Sequence, residues 1–229
     1  MPNYHAEQRA VLFDLDGVLV RTEQLKAEAH ATAVRRLGGQ VSASVYRRHM
    51  GKSHEAVRAA FVAEAGIEPD LGEYSRLYQG AYRDLLRHRL AVVPGAVELC
   101  QQLCERHFLL GLVTSSRSWM TDYVLSKTTL DRFFEVRVSA EDVQKPKPAP
   151  DGYRLALERL GVRATGAVGL EDSEAGVEAA VRAGIAVLGV RHAWNPDHDF
   201  TRAAGEFSSL QSTALIIATI ESILVPAHV

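Results

Sequence analysis

Apolar positions along this chain gather into short runs separated by amphipathic stretches. Ala10-Val11-Leu12-Phe13 ends at acidic residues, the pattern of a strand buried on both faces. Similar runs recur at Leu109 to Val113, Val136 to Val138, Ala167 to Leu170 and Ile185 to Val190. Between the later runs, Val97 to Arg106, Ser118 to Ser126, Gly152 to Leu160 and Glu174 to Ala183 carry helical periodicity. Gly161 and Gly184 stand where helix C-caps are expected. Strands alternating with helices imply βαβ units and a parallel sheet covered on both faces. Ligands of such sheets bind beyond the carboxyl ends of the strands.

One interval breaks the alternation. Between the first strand and Pro94-Gly95, Glu23 to Leu37, Glu55 to Glu64 and Tyr74 to Arg89 read as helix after helix, punctuated by Gly38-Gly39 and Glu68-Pro69-Asp70. A block inserted after a strand's carboxyl end stands over the site as a cap. The expected organisation is therefore a core of residues 1–20 and 93–229 with a helical cap of 21–92. The cap holds 12 Lys and Arg against 8 Asp and Glu, a balance of +4, and the remainder 14 against 20, a balance of −6. A basic lid over an acidic core suits an anionic substrate bridged by a cation, although ordinary variation in surface charge gives the same split.

Composition narrows the class. The 229 residues are 47% apolar and 24% charged with a net charge of −2, which suits a globular protein and not a general nucleic-acid binder. Two cysteines cannot build a disulfide framework and fit a reducing compartment. Met1 to Arg9 lacks an apolar segment of the secretory kind. The apolar run from Ala214 to Val225 is interrupted by Thr219, Glu221 and Ser222, and falls short of the roughly 20 residues that span a bilayer. A cytoplasmic protein without nucleic-acid or membrane partners is expected, as a monomer or weak dimer.

The chemistry-bearing residues collect at strand ends. In Asp14-Leu15-Asp16-Gly17, alternate residues of an extended segment share a face, so both carboxylates can enter one site. Close carboxylates repel unless a cation or proton compensates, which favours a Mg²⁺ site or an acid/base pair over a solvated acidic turn. Leu112-Val113 leads to Thr114-Ser115-Ser116 before a helix whose first amides can bind an anion. Ala167 to Leu170 ends in Glu171-Asp172, with Ser173 as an N-cap. Lys145-Pro146-Lys147-Pro148-Ala149-Pro150 is a stiff loop from which a lysine projects.

Asp14-Leu15-Asp16-Gly17, Thr114-Ser115, Lys147-Pro148-Ala149-Pro150-Asp151 and Gly169-Leu170-Glu171-Asp172-Ser173, in this order, resemble the haloacid dehalogenase superfamily in its phosphatase branch. The resemblance runs from about Ala10 to Val190. It implies a Rossmann-like parallel-sheet core with an inserted α-helical cap, and Mg²⁺-dependent phosphoryl transfer from a small phosphorylated metabolite, a sugar phosphate or similar phosphomonoester. It further implies that Asp14 is the nucleophile and Asp16 the general acid and base. Mg²⁺ would be held by Asp14, the main-chain carbonyl of Asp16 and Asp172, with Glu171 acting through a bound water or behind the ligands. Thr114, the Ser115 amide and Lys147 would balance charge on the phosphoryl oxygens. Lys145 and Lys147 both satisfy Lys-Pro-x-Pro. The family pattern has an aromatic residue six positions on, which is Tyr153 from Lys147 and Asp151 from Lys145, so Lys147 is preferred.

In the cap, Gly51 and Ser53 resemble the β-phosphoglucomutase branch, with His54 where that branch carries arginine and either Lys52 or Arg48 as the substitute phosphate anchor. Lys26 takes the place of a histidine near the acid/base aspartate. Gly51, Lys52, Ser53 and Lys26 are thus the expected substrate-binding residues, together with Ser115. A phosphomutase is the alternative enzyme and a non-catalytic phosphate-binding module the alternative class. Asp16 speaks against the module, against dehalogenases, which lack the second aspartate, and against the phosphonate-cleaving branch, which has a small residue there. Gly51-Lys52-Ser53 is not a P-loop, because Tyr46 stands at its first glycine. Cys100, Cys104 and His107 lack a fourth ligand and are expected to pack. The segment from His192 to His198 follows the last strand and either reaches the substrate or remains a solvated loop.

Overall fold

A computed structural model describes residues 8–225; the segment behind the secretory expectation lies, up to residue 7, outside them. Five strands form where the apolar runs place them: β1 (Ala10–Phe13), β2 (Leu109–Val113), β3 (Val136–Val138), β4 (Ala167–Glu171) and β5 (Ala186–Val190). A sixth, β6 (Gly205–Phe207), was not expected. It is three residues long at the sheet edge and has no apolar run to betray it. The order is β3-β2-β1-β4-β5-β6, every pair parallel.

β1 lies between β2 and β4, where the order of crossovers reverses, so its carboxyl end opens into the crevice that such sheets use for ligands. Period-2 alternation divides its side chains between two cores. Val11 and Phe13 pack with residues of α4 (Ala96–Glu105), α5 (Ser118–Lys127) and α8 (Thr213–Leu224). Ala10 and Leu12 pack on the opposite face against α6 (Asp151–Leu160) and α7 (Glu174–Arg182). The terminal apolar run is therefore α8, with Ile216, Ile217 and Ile220 buried. Among the described residues no helix is long and apolar enough to cross a membrane. Cys100 is a buried core residue, and both cysteines are free. Gly161 ends α6 in the left-handed conformation expected of it.

The interval between β1 and α4 folds as α1 (Glu23–Arg36), a 3-10 turn at Ala43–His49, α2 (His54–Ala65) and α3 (Leu71–Arg89). α3 starts three residues before the expected Tyr74, because Asp70 Oδ1 accepts from the Glu73 N–H at 2.7 Å and caps it. Phe61, Tyr74, Tyr78 and Tyr82 fill the interior of this block. Its two connections run side by side: the Arg21 N–H donates to Ala91 O at 2.8 Å and the Val93 N–H to Leu19 O at 2.9 Å.

Candidate active site

Strand register builds the floor of the site. Phe13 pairs with Leu112 on one side and Leu170 on the other, so the residues leaving β1 lie beside those leaving β2 and β4. Gly17 turns the chain away at φ +82°, and a Cβ there would stand 1.9 Å from Asp172 Oδ2. Only glycine permits both the conformation and the approach.

Lys147 Nζ lies 2.5 Å from Asp14 Oδ1 and 2.6 Å from Glu171 Oε1, and it donates to Val113 O at 2.8 Å. Lys147 is buried and Lys145 exposed, so the structure brings the preferred lysine to the site. Tyr153, the aromatic residue that marked this register, donates its hydroxyl to Glu171 Oε1 at 2.6 Å. Glu171 is fully buried and further held by the Ser173 hydroxyl.

Carboxylate oxygens of Asp14, Glu171 and Asp172 lie within 4.8 Å of one another. Burial, above all, and mutual repulsion raise the carboxyls of Asp14 and Asp172, and Lys147 offsets only part of this. The donor set is all oxygen and carries more negative charge than one ammonium neutralises. That fits a hard divalent cation such as Mg²⁺.

Asp16 points the other way. Its carboxylate accepts from Ser116 Oγ at 2.6 Å and from the Thr22 hydroxyl, lies 2.6 Å from Lys26 Nζ, and has Thr114 Oγ1 at 3.5 Å. Burial works to raise this carboxyl, but Lys26, Ser116 and Thr22 outweigh it and hold the group below its ordinary value. The acidic cluster therefore contains the side chain of Glu171 and not that of Asp16. Only the main-chain carbonyl of Asp16 is left for the metal-binding part expected of that residue.

The helices supply the ceiling. A cavity of about 40 Å³ is lined from the sheet by Asp14, Asp16, Thr114, Ser115, Ser116 and Asp172. Facing them are Glu23, Lys26, His30, Tyr46, Gly51, Lys52, His54, Val57 and Tyr78. Ser115 Oγ donates to Gly51 O at 2.8 Å, and a Cβ on Gly51 would stand 2.1 Å from Ser173 Oγ, so this loop is seated on the sheet. Ser53 departs from expectation. Its hydroxyl accepts from the Ala56 N–H at 3.2 Å as the N-cap of α2, and it does not line the cavity.

Several residues of the site were not anticipated. Thr22 and Ser116 hold Asp16, and Glu23, His30, Tyr46, His54 and Tyr78 line the ceiling. His30 Nδ1 lies 2.8 Å from Tyr74 Oη, with its ring stacked on Phe61. The loop after β5 does reach the site, by way of Asp172 and not the cavity. His192 Nε2 lies 2.9 Å from Asp172 Oδ2, and buried Asn195 donates to the Asp172 carbonyl at 2.6 Å. Trp194 and His198 turn to Arg47, whose guanidinium lies over the indole and whose carbonyl is 2.8 Å from His198 Nε2. Thr22 was legible as a hydroxyl six residues from Asp16; Asn195 carried no signal.

Residues 11–190 match the model of the haloacid dehalogenase-like hydrolases. The chain is 32% identical over 187 residues to the phosphorylated carbohydrates phosphatase of Thermotoga maritima, covering 81% of this chain and 87% of that one. It is 36% identical over 186 residues to the validoxylamine A 7'-phosphate phosphatase of Streptomyces hygroscopicus subsp. limoneus, covering 80% and 85%. The structure of CbbY from Rhodobacter sphaeroides in complex with phosphate superposes with a TM-score of 0.80 at 25% identity, over 89% of this chain and 95% of that one. The fold is shared with β-phosphoglucomutase from Clostridium difficile, TM-score 0.80 at 20% identity over 95% and 99%.

Proposed function

This chain belongs to the haloacid dehalogenase-like hydrolase family, and we propose that it is a Mg²⁺-dependent phosphatase of a small phosphorylated metabolite, with Asp14 as nucleophile. It is a hydrolase acting on phosphate esters. The observation that carries the mechanism is the Asp14 carboxylate: Lys147 holds Oδ1 at 2.5 Å, and Oδ2 has no hydrogen-bond donor among the described residues. The relatives that act on phosphorylated carbohydrates and validoxylamine A 7'-phosphate support a sugar phosphate or similar ester as substrate.

Asp14 Oδ2 attacks phosphorus while the bond to the ester oxygen breaks, giving an aspartyl-phosphate. Asp16, ionised before substrate arrives, takes up a proton as the anionic phosphoryl group binds beside it and gives that proton to the departing oxygen. It then takes one from the water that attacks the aspartyl-phosphate, and inorganic phosphate leaves as the Asp14 carboxylate is restored. Asp14, Asp172 and the Asp16 carbonyl would hold Mg²⁺, with Glu171 behind them; the ion supplies charge to offset the phosphoryl oxygens. Lys147, Thr114 and the Ser115 amide serve the same oxygens. Lys147 also keeps Asp14 and Glu171 from repelling each other, and His192 and Asn195 fix Asp172.

Residues 21–92 act as a cap. The cavity, of about 40 Å³, has room for only a few water molecules, which supports displacement of these helices as substrate enters, with the seat of Gly51 between Ser115 and Ser173 as the contact that re-forms over it. Lys26 and Lys52 then face the substrate from the cap. The two free cysteines fit the cytoplasm.

The phosphomutase alternative draws on likeness of fold. Asp16 distinguishes both enzymes from a phosphate-binding module. Phosphate release from a panel of phosphomonoesters with Mg²⁺ tests the reading. Incubation with β-glucose 1-phosphate and a trace of its bisphosphate should give little glucose 6-phosphate; rapid isomerisation without free phosphate would make the enzyme a mutase.

A further inference from the structure

The cap segment from Arg47 to Glu55 meets three loops at the carboxyl ends of the strands. Glu55 pairs with Arg117 after β2, Gly51 sits between Ser115 and Ser173, and Arg47 meets the loop after β5. The last contact differs from the others in what stands behind it. The Arg47 guanidinium lies 5.2 Å from the centre of the Trp194 ring. His198 Nδ1 accepts from the Glu174 N–H at 3.1 Å, an amide at the start of α7 that has no partner within its own helix. That places the proton on Nε2, which donates to the Arg47 carbonyl at 2.8 Å.

The other end of the same loop holds Asp172. The Trp194 N–H donates to His192 Nδ1 at 3.2 Å, so His192 Nε2 carries the proton and donates to Asp172 Oδ2 at 2.9 Å. Asn195 donates to the Asp172 carbonyl at 2.6 Å, and its Oδ1 accepts from the His192 N–H at 2.7 Å. Arg191 ties the two ends together. Its Nη1 donates to the carbonyls of Asn195 at 2.7 Å, His198 at 2.9 Å and Pro196 at 3.3 Å. Its Nε and Nη2 engage both carboxylate oxygens of Glu206 in β6, at 3.0 and 2.7 Å. A guanidinium clamped in this bidentate way fixes the carbonyls it holds. The loop has little freedom to bend between Asn195 and His198.

We infer that residues 191–198 form a bracket coupling the seat of the cap to the geometry of Asp172, with Trp194 and His198 as positioning residues that touch no reacting atom. The inference rests on the Mg²⁺ site and the moving cap of the proposed function. It adds the connection between them: a cap seated through Arg47 holds Asp172 for the ion, and by reciprocity the ion holds the cap. Were the loop only a brace for the sheet, a change on the cap side of the contact would leave Mg²⁺ binding untouched.

Mg²⁺ affinity measured by titration calorimetry, without substrate, tests this. Arg47 belongs to the cap, is exposed, and lies outside the acidic cluster. Arg47→Ala should weaken Mg²⁺ binding about threefold or more, and His198→Ala likewise. Arg47→Lys, which keeps a cation over the indole, should lose less. In the reciprocal direction, Mg²⁺ should slow hydrogen exchange of the amides of residues 43–55 in the unaltered protein, and less so in Arg47→Ala. Equal Mg²⁺ affinity in the unaltered protein and Arg47→Ala overturns the inference, even where His198→Ala fails to fold, and leaves the phosphatase reading to its own test of phosphate release. No Mg²⁺ bound by the unaltered protein overturns the inference together with the metal site.

Discussion

On the sheet side of the cavity, Asp14, Glu171, Asp172 and Lys147 crowd together with their charges set directly against one another. On the helical side, His30, His54, Tyr46 and Tyr78 present neutral rings, with Glu23 half satisfied among them. The floor must stabilise a charge that moves during reaction, and buried ionised groups do so only when paired, hydrogen-bonded or bound to a cation. The ceiling has no such task. Apart from Lys26, paired with Asp16, and Lys52 at the exposed rim, it is built of rings and of a buried carboxyl that burial raises. The same carboxyl chemistry is thus read differently on the two walls: Lys26 holds Asp16 down, while burial lifts Glu23 three residues away in the same helix.

The floor can be broken most sharply at Asp14. Asp14→Asn keeps the shape and removes the nucleophile, so Mg²⁺-dependent phosphate release should fall by roughly four orders of magnitude or more with the circular dichroism spectrum unchanged. Wild-type turnover by this variant would move the chemistry away from the floor. Lys147→Ala should lower kcat by about 10²–10³. It should also cost about 3–5 kcal/mol in urea unfolding, because Asp14 and Glu171 lose their shared cation in a buried setting. Lys145→Ala should do neither, as that ammonium is in solvent. The reverse ranking would displace the loop by two residues.

Metal and pH sharpen the contrast further. Raised carboxyls at Asp14 and Asp172 mean that ionising them works against the fold. For Asp14 the penalty is absent below its ordinary value of 3.8, grows as pH rises, and is complete above about 7. A divalent cation offsets that penalty only where the carboxylates are ionised. The rise in Tm on replacing EDTA with Mg²⁺ should therefore be larger at pH 8 than at pH 5. A rise independent of pH would mean that these carboxylates do not hold the ion. The smallest effect belongs to the ceiling's support: Ser53→Ala should cost about 1 kcal/mol of stability through the lost cap on α2. KM should stay near wild type, and a KM effect without a stability loss would return Ser53 to the cavity wall.

The same contrast separates what was legible from what was not. The floor could be read because Asp14, Glu171 and Asp172 sit at the ends of apolar runs, which a parallel sheet gathers by its register alone, while Lys147 was read from its proline-rich loop. The family pattern of an aromatic residue six positions on settled the choice of lysine, and in the structure that residue, Tyr153, braces Glu171. β1 to β5 were legible because strands buried on both faces are continuous apolar runs. β6 was not, being a short edge pair, and α8 showed only as an apolar run of undecided use. The ceiling is a different problem. Glu23, His30, His54, Tyr46 and Tyr78 come from three helices and a turn, and only the packing of those elements brings them together. Ser53 was misplaced for the same reason: its neighbours in sequence line the cavity, while its hydroxyl turns back to its own helix.

The central claim is that the phosphoryl group passes through Asp14. Turnover of a phosphate-labelled substrate, stopped with acid and followed by peptide mapping, tests it most directly. The account predicts label on the peptide bearing Asp14 in the wild-type protein, dependent on Mg²⁺ and absent from Asp14→Asn. Phosphate release at full rate with no label on that peptide, or with label on another residue, would contradict it.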